Sequence, residues 1–199
     1  MAVSGVYLNI DASNLQKTID TMKLRLSHDE FMQLIHRTFR EVGQRSKTLI
    51  AAEVVKDYAA TKSWVRSQIG GYRIEQNLSG GYSCVIPISG ARGVLGARFT
   101  ASGTGPITVK LLKKKSSTLP PTLPHQGGQP PFRNLKSNKL GGVVFTRKTK
   151  ARFPIARVAG IGVPQMPLNQ SEDEVSQALL DYAMQRLNHN FYFMFNRVK

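Results

Sequence analysis

The stretch SHDEFMQLIHRTFREVGQRSKTLIAAEVVKDY, residues 27–58, carries the strongest structural signal in the chain. Ser27 followed three residues later by Glu30 is the signature of a capping box, in which each side chain satisfies a backbone N–H that the first helical turn leaves open. Behind it Phe31, Leu34, Ile35, Phe39, Val42, Leu49, Ile50 and Val54 recur at helical spacing. Arg37, Arg40, Glu41, Arg45, Lys47 and Lys56 fall on the opposite side. The spacing predicts one long amphipathic helix over about 28–58, whose apolar stripe is buried in its own core or against a neighbouring subunit.

Working outward, residues 13–26 place Leu15, Ile19, Met22 and Leu26 on one face, which predicts a shorter preceding helix. Val6–Ile10 reads as a short strand. Downstream, Thr61 is placed to cap a short helix carrying Trp64 and Ile69, stopped at Gly70-Gly71. Strands are expected at Tyr72–Gln76, Tyr82–Ile88 and Ile107–Leu112, the first two joined by a turn at Ser79-Gly80-Gly81. The glycine-rich stretch Gly90–Gly105 reads as a loop or irregular edge.

At residue 113 the composition shifts. Residues 113–142 open with Lys113-Lys114-Lys115 and contain Pro120, Pro121, Pro124, Pro130, Pro131 and Phe132. So many prolines exclude a helix or a central strand. The stretch reads as an extended arm, reaching about 3 Å per residue, inserted in a single domain formed by 1–112 and 143–199. Val143–Thr146 resumes as a strand, followed by a second basic cluster, Arg147, Lys148, Lys150 and Arg152. Ser171 and Glu174 form another capping box before a last helix over about 172–196. Val175, Leu179 and Tyr182 begin its apolar face, and Leu180, Met184, Leu187, Phe191 and Phe195 continue it. Its end, NFYFMF (190–195), is apolar nearly all round, so it is buried either in its own core or between subunits, and for the second case Leu187, Phe191, Tyr192 and Phe195 are the candidate interface residues. Helices at both ends of a strand-rich middle make the fold class α+β, with an antiparallel sheet packed on the long helix.

Composition narrows the function. The 199 residues carry a net charge of +16, and its distribution is uneven. Residues 61–160 hold 17 basic side chains and a single acid, Glu75, whereas 1–60 hold 8 basic and 7 acidic and 161–199 hold 3 and 4. A one-signed middle segment fits an anionic partner: nucleic acid, an acidic membrane surface or an acidic protein surface. The single cysteine, Cys84, excludes an internal disulfide framework and reads as a small buried apolar residue. No apolar run is long enough to span a membrane, and the opening MAVSGVYLNID has neither the basic nor the apolar region of a secretory signal. A reducing cytoplasm is therefore the expected site of synthesis.

Catalytic chemistry has no visible seat. His28, His36, His125 and His189 lack metal-ligand spacing, and the carboxylates Asp29, Glu30, Glu172, Asp173 and Glu174 fit helix N-termini, where the dipole favours them. Residues 102–110 contain glycines around a threonine but lack the GK[ST] ending of a phosphate loop. The expectation is a binding or structural protein, not an enzyme, with no cofactor, metal or small-molecule substrate.

Three segments taken together point further: IHRTFREVGQRSKTLIAAEVVKDYAATKSWVRSQI (35–69), TRKTKARFPIARVAGIGVPQM (146–166), and the C-terminal helix ending at Lys199. In order and spacing they resemble the minor tail protein Z family of tailed phages and prophages, which includes the lambda-type tail completion protein. Phe153-Pro154-Ile155 and Val163-Pro164 are the most specific part. The middle departs from the family pattern: its Pro-Gly-aromatic step stands here as Pro130-Pro131-Phe132, behind a Pro-rich insertion. The resemblance implies a virion component of the tail or neck, assembled in the host cytoplasm, that finishes the head-proximal end of a long tail. The implied partners are further copies of itself in a ring, sixfold by analogy with long tails, the tail terminator and tube proteins, and head-completion or connector proteins. It also implies a position near the packaged DNA. Lys113, Lys114, Lys115, Arg147, Lys148, Lys150 and Arg152 are then the candidates to face that DNA or acidic neighbouring rings. The competing expectation is a free-standing, sequence-nonspecific nucleic-acid-binding module, which explains the charge but not the apolar C-terminus.

Overall fold

Ser27 sits in extended conformation and starts the long helix as its sequence implies. Its hydroxyl accepts from the Glu30 N–H at 3.4 Å, while the Glu30 carboxylate accepts from the Ser27 N–H at 2.9 Å and from the Ser27 hydroxyl at 2.7 Å. The computed structural model describes residues 18–22, 24–76, 82–103, 105–123, 129–134, 141–169 and 172–196. Residues 18–22 are helical (α1), and helix α2 spans His28–Asp57. The strand expected at Val6–Ile10, the turn at Ser79–Gly81 and the capping serine Ser171 lie outside the described residues.

Helix α2 ends where Tyr58 turns extended and its N–H closes on the Val54 carbonyl. A short helix α3, Lys62–Ser67, follows and buries Trp64 and Val65. Thr61 stands at its N-cap in extended conformation, but its hydroxyl makes no capping bond. The described residues then form ten short strands: β1 (Arg73–Gln76), β2 (Tyr82–Val85), β3 (Arg92–Val94), β4 (Thr100–Ser102), β5 (Thr108–Lys110), β6 (Ser117–Thr118), β7 (Phe132–Arg133), β8 (Val144–Arg147), β9 (Ile155–Arg157) and β10 (Ala159–Gly162). A 3₁₀ turn at Val163–Gln165 and a short α4, Met166–Asn169, lead into α5, Glu172–Phe195.

The fold is α+β, with every strand pair antiparallel. The sheet is divided into four small ladders, β1–β2, β3–β10, β4–β5–β6 and β7–β8–β9. Leu95 stitches two of them: its N–H donates to the Val158 carbonyl and its carbonyl accepts from the Val144 N–H, both at 3.0 Å. Two stretches differ from their sequence-based reading. Gly90–Gly105 is not simply a loop: it forms β3 and β4 and buries Leu95 and Phe99. Its glycines serve the crossing, since Gly96 has positive φ and a Cβ there would strike the Gly142 carbonyl. The described parts of 113–142 lie against the body instead of standing off it. β6 pairs with β5, Leu123 is buried in the core, the Thr146 hydroxyl donates to the Gln129 carbonyl at 3.0 Å, and β7 pairs with β8. Residues 124–128, with Pro124 and His125, and 135–140 lie outside the described residues.

Two apolar clusters result. The larger joins Ile50, Ala51 and Val54 of α2 to Trp64 and Val65 of α3, to Leu95, Phe99, Val109, Val144 and Val158 from the sheets, and to Val175 and Leu179 of α5. Trp64 and Phe99 meet edge to face, 5.7 Å between ring centres. The smaller holds Met22, Phe31, Leu34, Ile35 and Leu187, with Phe39, Phe191 and Met194 packed against it. Helix α5 runs antiparallel to α2, because Thr38 meets Asn190 while the later Glu41 meets the earlier Arg186.

Gly43 is buried in the middle of α2 because the Tyr72 side chain rests on it, and a Cβ there would overlap the root of the ring. Helix propensity alone favours alanine over glycine by about 1 kcal/mol. Here Gly43→Ala is expected to lower stability by about 1–3 kcal/mol through overpacking. In a Tyr72→Ala background the same substitution should turn stabilising, a sign change that a double-mutant cycle in urea detects. A stabilising Gly43→Ala in the wild-type background would mean that Tyr72 does not pack there.

Candidate polyanion and assembly surfaces

The seven basic residues singled out in the sequence do not form one cluster. Lys113, Lys114 and Lys115 follow β5 and are exposed. The Lys113 N–H donates to the Asp57 carbonyl at 2.7 Å, so the triplet stands at the negative end of the α2 dipole. That placement gives these lysines a structural reason, charge compensation of the helix end. Lys115 also borders a shallow cleft of about 210 Å³ with Tyr58, Leu112, Ile161 and Asn169.

Arg147, Lys148, Lys150 and Arg152 belong to another sheet. They end β8 and form the loop that turns into β9, and all are exposed. The hairpin is closed by the Lys148 N–H donating to the Pro154 carbonyl at 3.1 Å, and the Ala151 N–H donates to the Thr149 hydroxyl at 3.2 Å. The Phe153–Pro154 peptide is cis. Sequence reasoning undervalued two features here. Phe153 and Ile155 are presented outward, 66% and 40% exposed, and Arg157 on β9 adds a further exposed cation beside them. Arg152 lies over the Phe153 ring, 5.8 Å from its centre, and Arg147 over Phe132 at 5.2 Å. Phe132 is thereby part of the sheet, stacked on Phe145 at 6.0 Å, while Pro120, Pro121 and Pro130 are exposed and Pro131 is half-buried.

The candidate interface on α5 divides by helix face. Leu187 is buried in the smaller cluster and Phe191 packs against it, so neither is a free contact, contrary to expectation. Tyr192 and Phe195 do point outward, 66% and 40% exposed, and Phe193, missed in the sequence, joins them at 40%. A groove of about 340 Å³ runs along His189, Tyr192, Phe193 and Asn196. Arg37 of α2 lies over the Phe193 ring, 4.5 Å from its centre.

Beside the smaller cluster lies a polar network that periodicity did not reveal, because Asn190 occupies a core position of α5 between Leu187 and Phe191. Its amide donates to the Thr38 hydroxyl at 3.2 Å and to the Glu41 carboxylate at 3.1 Å. The Arg186 guanidinium donates to Glu41 at 2.6 Å and that of Arg37 at 3.5 Å. Burial alone pushes the Glu41 carboxyl up; the hydrogen bonds from Arg186 and Asn190, the Arg186 charge and Arg37 outweigh it and hold it below the ordinary carboxylate value.

A second groove, of about 500 Å³, lies where α5 begins beside the end of α2, lined by Glu53, Lys56, Asp173, Glu174, Gln177 and Asp181. Lys56 pairs with Glu53, and Gln177 donates to Asp181 at 2.6 Å. Cys84 is half-buried, and burial pushes its thiol up to about 11, so it is no nucleophile at neutral pH. Among the described residues no group of His, Cys, Asp and Glu could hold a metal ion. No helix among them is long and apolar enough to cross a membrane. Comparison with family models, with curated proteins and with solved structures finds no match for this chain.

Because the Glu41 carboxyl sits below its unfolded-state value, the stability it contributes is present at neutral pH and lost as pH falls through the folded-state value. Glu41→Gln is expected to cost about 1–2 kcal/mol at neutral pH, as for a partly solvated charged pair. The penalty should shrink toward zero on acidification, followed by denaturant unfolding at several pH values. A penalty independent of pH would mean that the Glu41 charge contributes nothing.

Proposed function

We propose that this chain is a structural subunit of a phage virion that completes the head-proximal end of a long tail and enables the head to join it. The observation that carries the reading is the aromatic surface of α5: Tyr192, Phe193 and Phe195 face outward on a helix already packed on its other side. An exposed aromatic patch of this kind marks an assembly surface. Covering it between neighbours gains up to about 1.5–3 kcal/mol per ring fully buried. Seated on a different surface of the next copy, so that the contact is heterologous, it closes a ring, for which six copies is the number that long tails suggest. The resemblance of residues 35–69, 146–166 and the C-terminal helix to the minor tail protein Z family supports the same reading.

The role is architectural, with the tail terminator and tube on one side and head-completion or connector proteins on the other. The basic middle segment then meets the DNA path or acidic faces of adjoining rings. The second reading, a sequence-nonspecific nucleic-acid-binding module, is favoured by the basic β8–β9 loop with its exposed Phe153.

Lysates of a phage lacking this gene are expected to hold full heads and separate tails by electron microscopy, joined on adding the purified protein. Protein carrying Tyr192→Glu and Phe195→Glu should fold, fail to self-associate in sedimentation velocity, and fail to complement. Normal virions without the gene would overturn the tail-completion reading.

A further inference from the structure

The β8–β9 hairpin is a preformed element with one sign of charge. Arg147, Lys148, Lys150, Arg152 and Arg157 lie on it or at its loop, and the segment 144–157 contains no acidic residue. Among the described residues none of these five cations is in an ion pair, whereas Arg37, Lys56, Arg73 and Arg186 all are. Burial and hydrogen bonding at its base hold the shape. Val144, Phe145 and Thr146 are buried, the strand pairs with β7 on one side and β9 on the other, and the loop closes through Lys148 and Pro154. The loop cations are thus displayed on a fixed support, so little ordering entropy opposes a contact there.

The cations are interleaved with outward apolar surface, Phe153 and Ile155. Charge alone serves phosphates; an aromatic face among the charges also offers contact to sugars and base edges. Beyond Phe145, where β7 no longer pairs with β8, only two strands continue to the basic loop, so its end is narrow enough to approach a groove of a duplex. The Lys113–Lys115 triplet, also exposed and in no ion pair among the described residues, lacks the interleaved exposed aromatic side chain.

We infer that the β8–β9 hairpin is a sequence-independent docking element for duplex DNA, with Lys148, Lys150 and Arg152 on the phosphates and Phe153 as its apolar contact. The inference rests on the reading that the basic middle segment meets a polyanion, and not on the tail assignment. It commits that segment to one element and to one partner.

Fluorescence anisotropy of a short random-sequence DNA duplex with the purified full chain tests it, between about 50 and 200 mM salt. Each phosphate contact contributes about 0.9 to the slope of log affinity against log salt. The variant Lys148→Gln/Lys150→Gln/Arg152→Gln is expected to lose about 2–3 units of that slope. Phe153→Ala should weaken binding several-fold with the slope unchanged, and Lys148→Arg/Lys150→Arg/Arg152→Lys should keep the slope. Lys113→Gln/Lys114→Gln/Lys115→Gln should change the slope by less than about 1 unit. All these side chains are exposed, and unchanged thermal unfolding confirms that each variant is folded.

Equal losses from the two triple glutamine variants would overturn the assignment in favour of diffuse charge. Absence of duplex binding, with hairpin-dependent binding to phosphatidylserine vesicles or to an acidic protein ring, would overturn the choice of partner. Normal virions without the gene, together with hairpin-dependent duplex binding, would remove the tail assignment and leave the hairpin inference standing.

Discussion

The antiparallel seam between α2 and α5 is the contact on which the rest of the structure depends. Each helix contributes to both apolar clusters: the end of α2 and the start of α5 close the sheet-backed core, while the start of α2 and the end of α5 form the smaller one. Beside the smaller cluster lies the polar network of Thr38, Glu41, Arg186 and Asn190. Apolar stripes alone specify the register of two helices poorly. Here a slip of one turn would part the Glu41 carboxylate from Arg186 and Asn190, at about 1–2 kcal/mol for a partly solvated charged pair. The polar network therefore fixes the register, and the buried Asn190 carbonyl oxygen, which has no donor, is part of its cost.

Much of this was legible from local chemistry. The Ser27–Glu30 box starts α2 where its sequence implies, and the apolar periodicity gives its length to within a residue. The acidic triplet Glu172–Glu174 marks the first turn of α5. What escaped was non-local. Gly90–Gly105 reads as a loop because its strands are three residues long and the partner of β3 is β10, far along the chain. Pairing at that distance leaves no local pattern, and only the burial of Leu95 and Phe99 reveals why the segment is ordered. The prolines of 113–142 exclude a helix but say nothing of the short ladders that β6 and β7 add at sheet edges, where proline between strands is tolerated. Asn190 escaped for another reason: a polar residue at an apolar position reads as a gap in the stripe until its partners on α2 are seen.

The candidate surfaces were legible in charge and not in geometry. Segregation of the cations into 61–160 follows from composition alone. It does not separate cations with structural partners from those without. Lys113–Lys115 and the β8–β9 loop look alike as sequence, and neither is in an ion pair among the described residues, yet the first follows β5 at the end of α2 and the second presents Phe153 and Ile155 outward among its charges. Periodicity likewise identified the end of α5 as apolar but could not divide its faces between the core and a subunit interface. An apolar helix end packs one face first, here Leu187 and Phe191, and Tyr192 and Phe195 stay exposed.

Charge also decides which surface can bring copies together. At +16 the subunits repel, and at physiological ionic strength that repulsion is screened only beyond about 8 Å. A self-contact must then be made by a surface that adds no charge of its own. Residues 187–196, LNHNFYFMFN, contain no Lys, Arg, Asp or Glu, so the aromatic end of α5 meets that condition. The groove at Glu53, Asp173, Glu174 and Asp181 does not, since its acids already serve Lys56, Gln177 and the α5 dipole. The β8–β9 hairpin is the opposite case, a surface that only an anion can cover. Because the hairpin is rooted in the sheet-backed core and the aromatic face in the smaller cluster, the two belong to different parts of the fold. On the proposed reading, a polyanion on the hairpin would neutralise charge that opposes assembly without occupying the α5 face proposed to assemble.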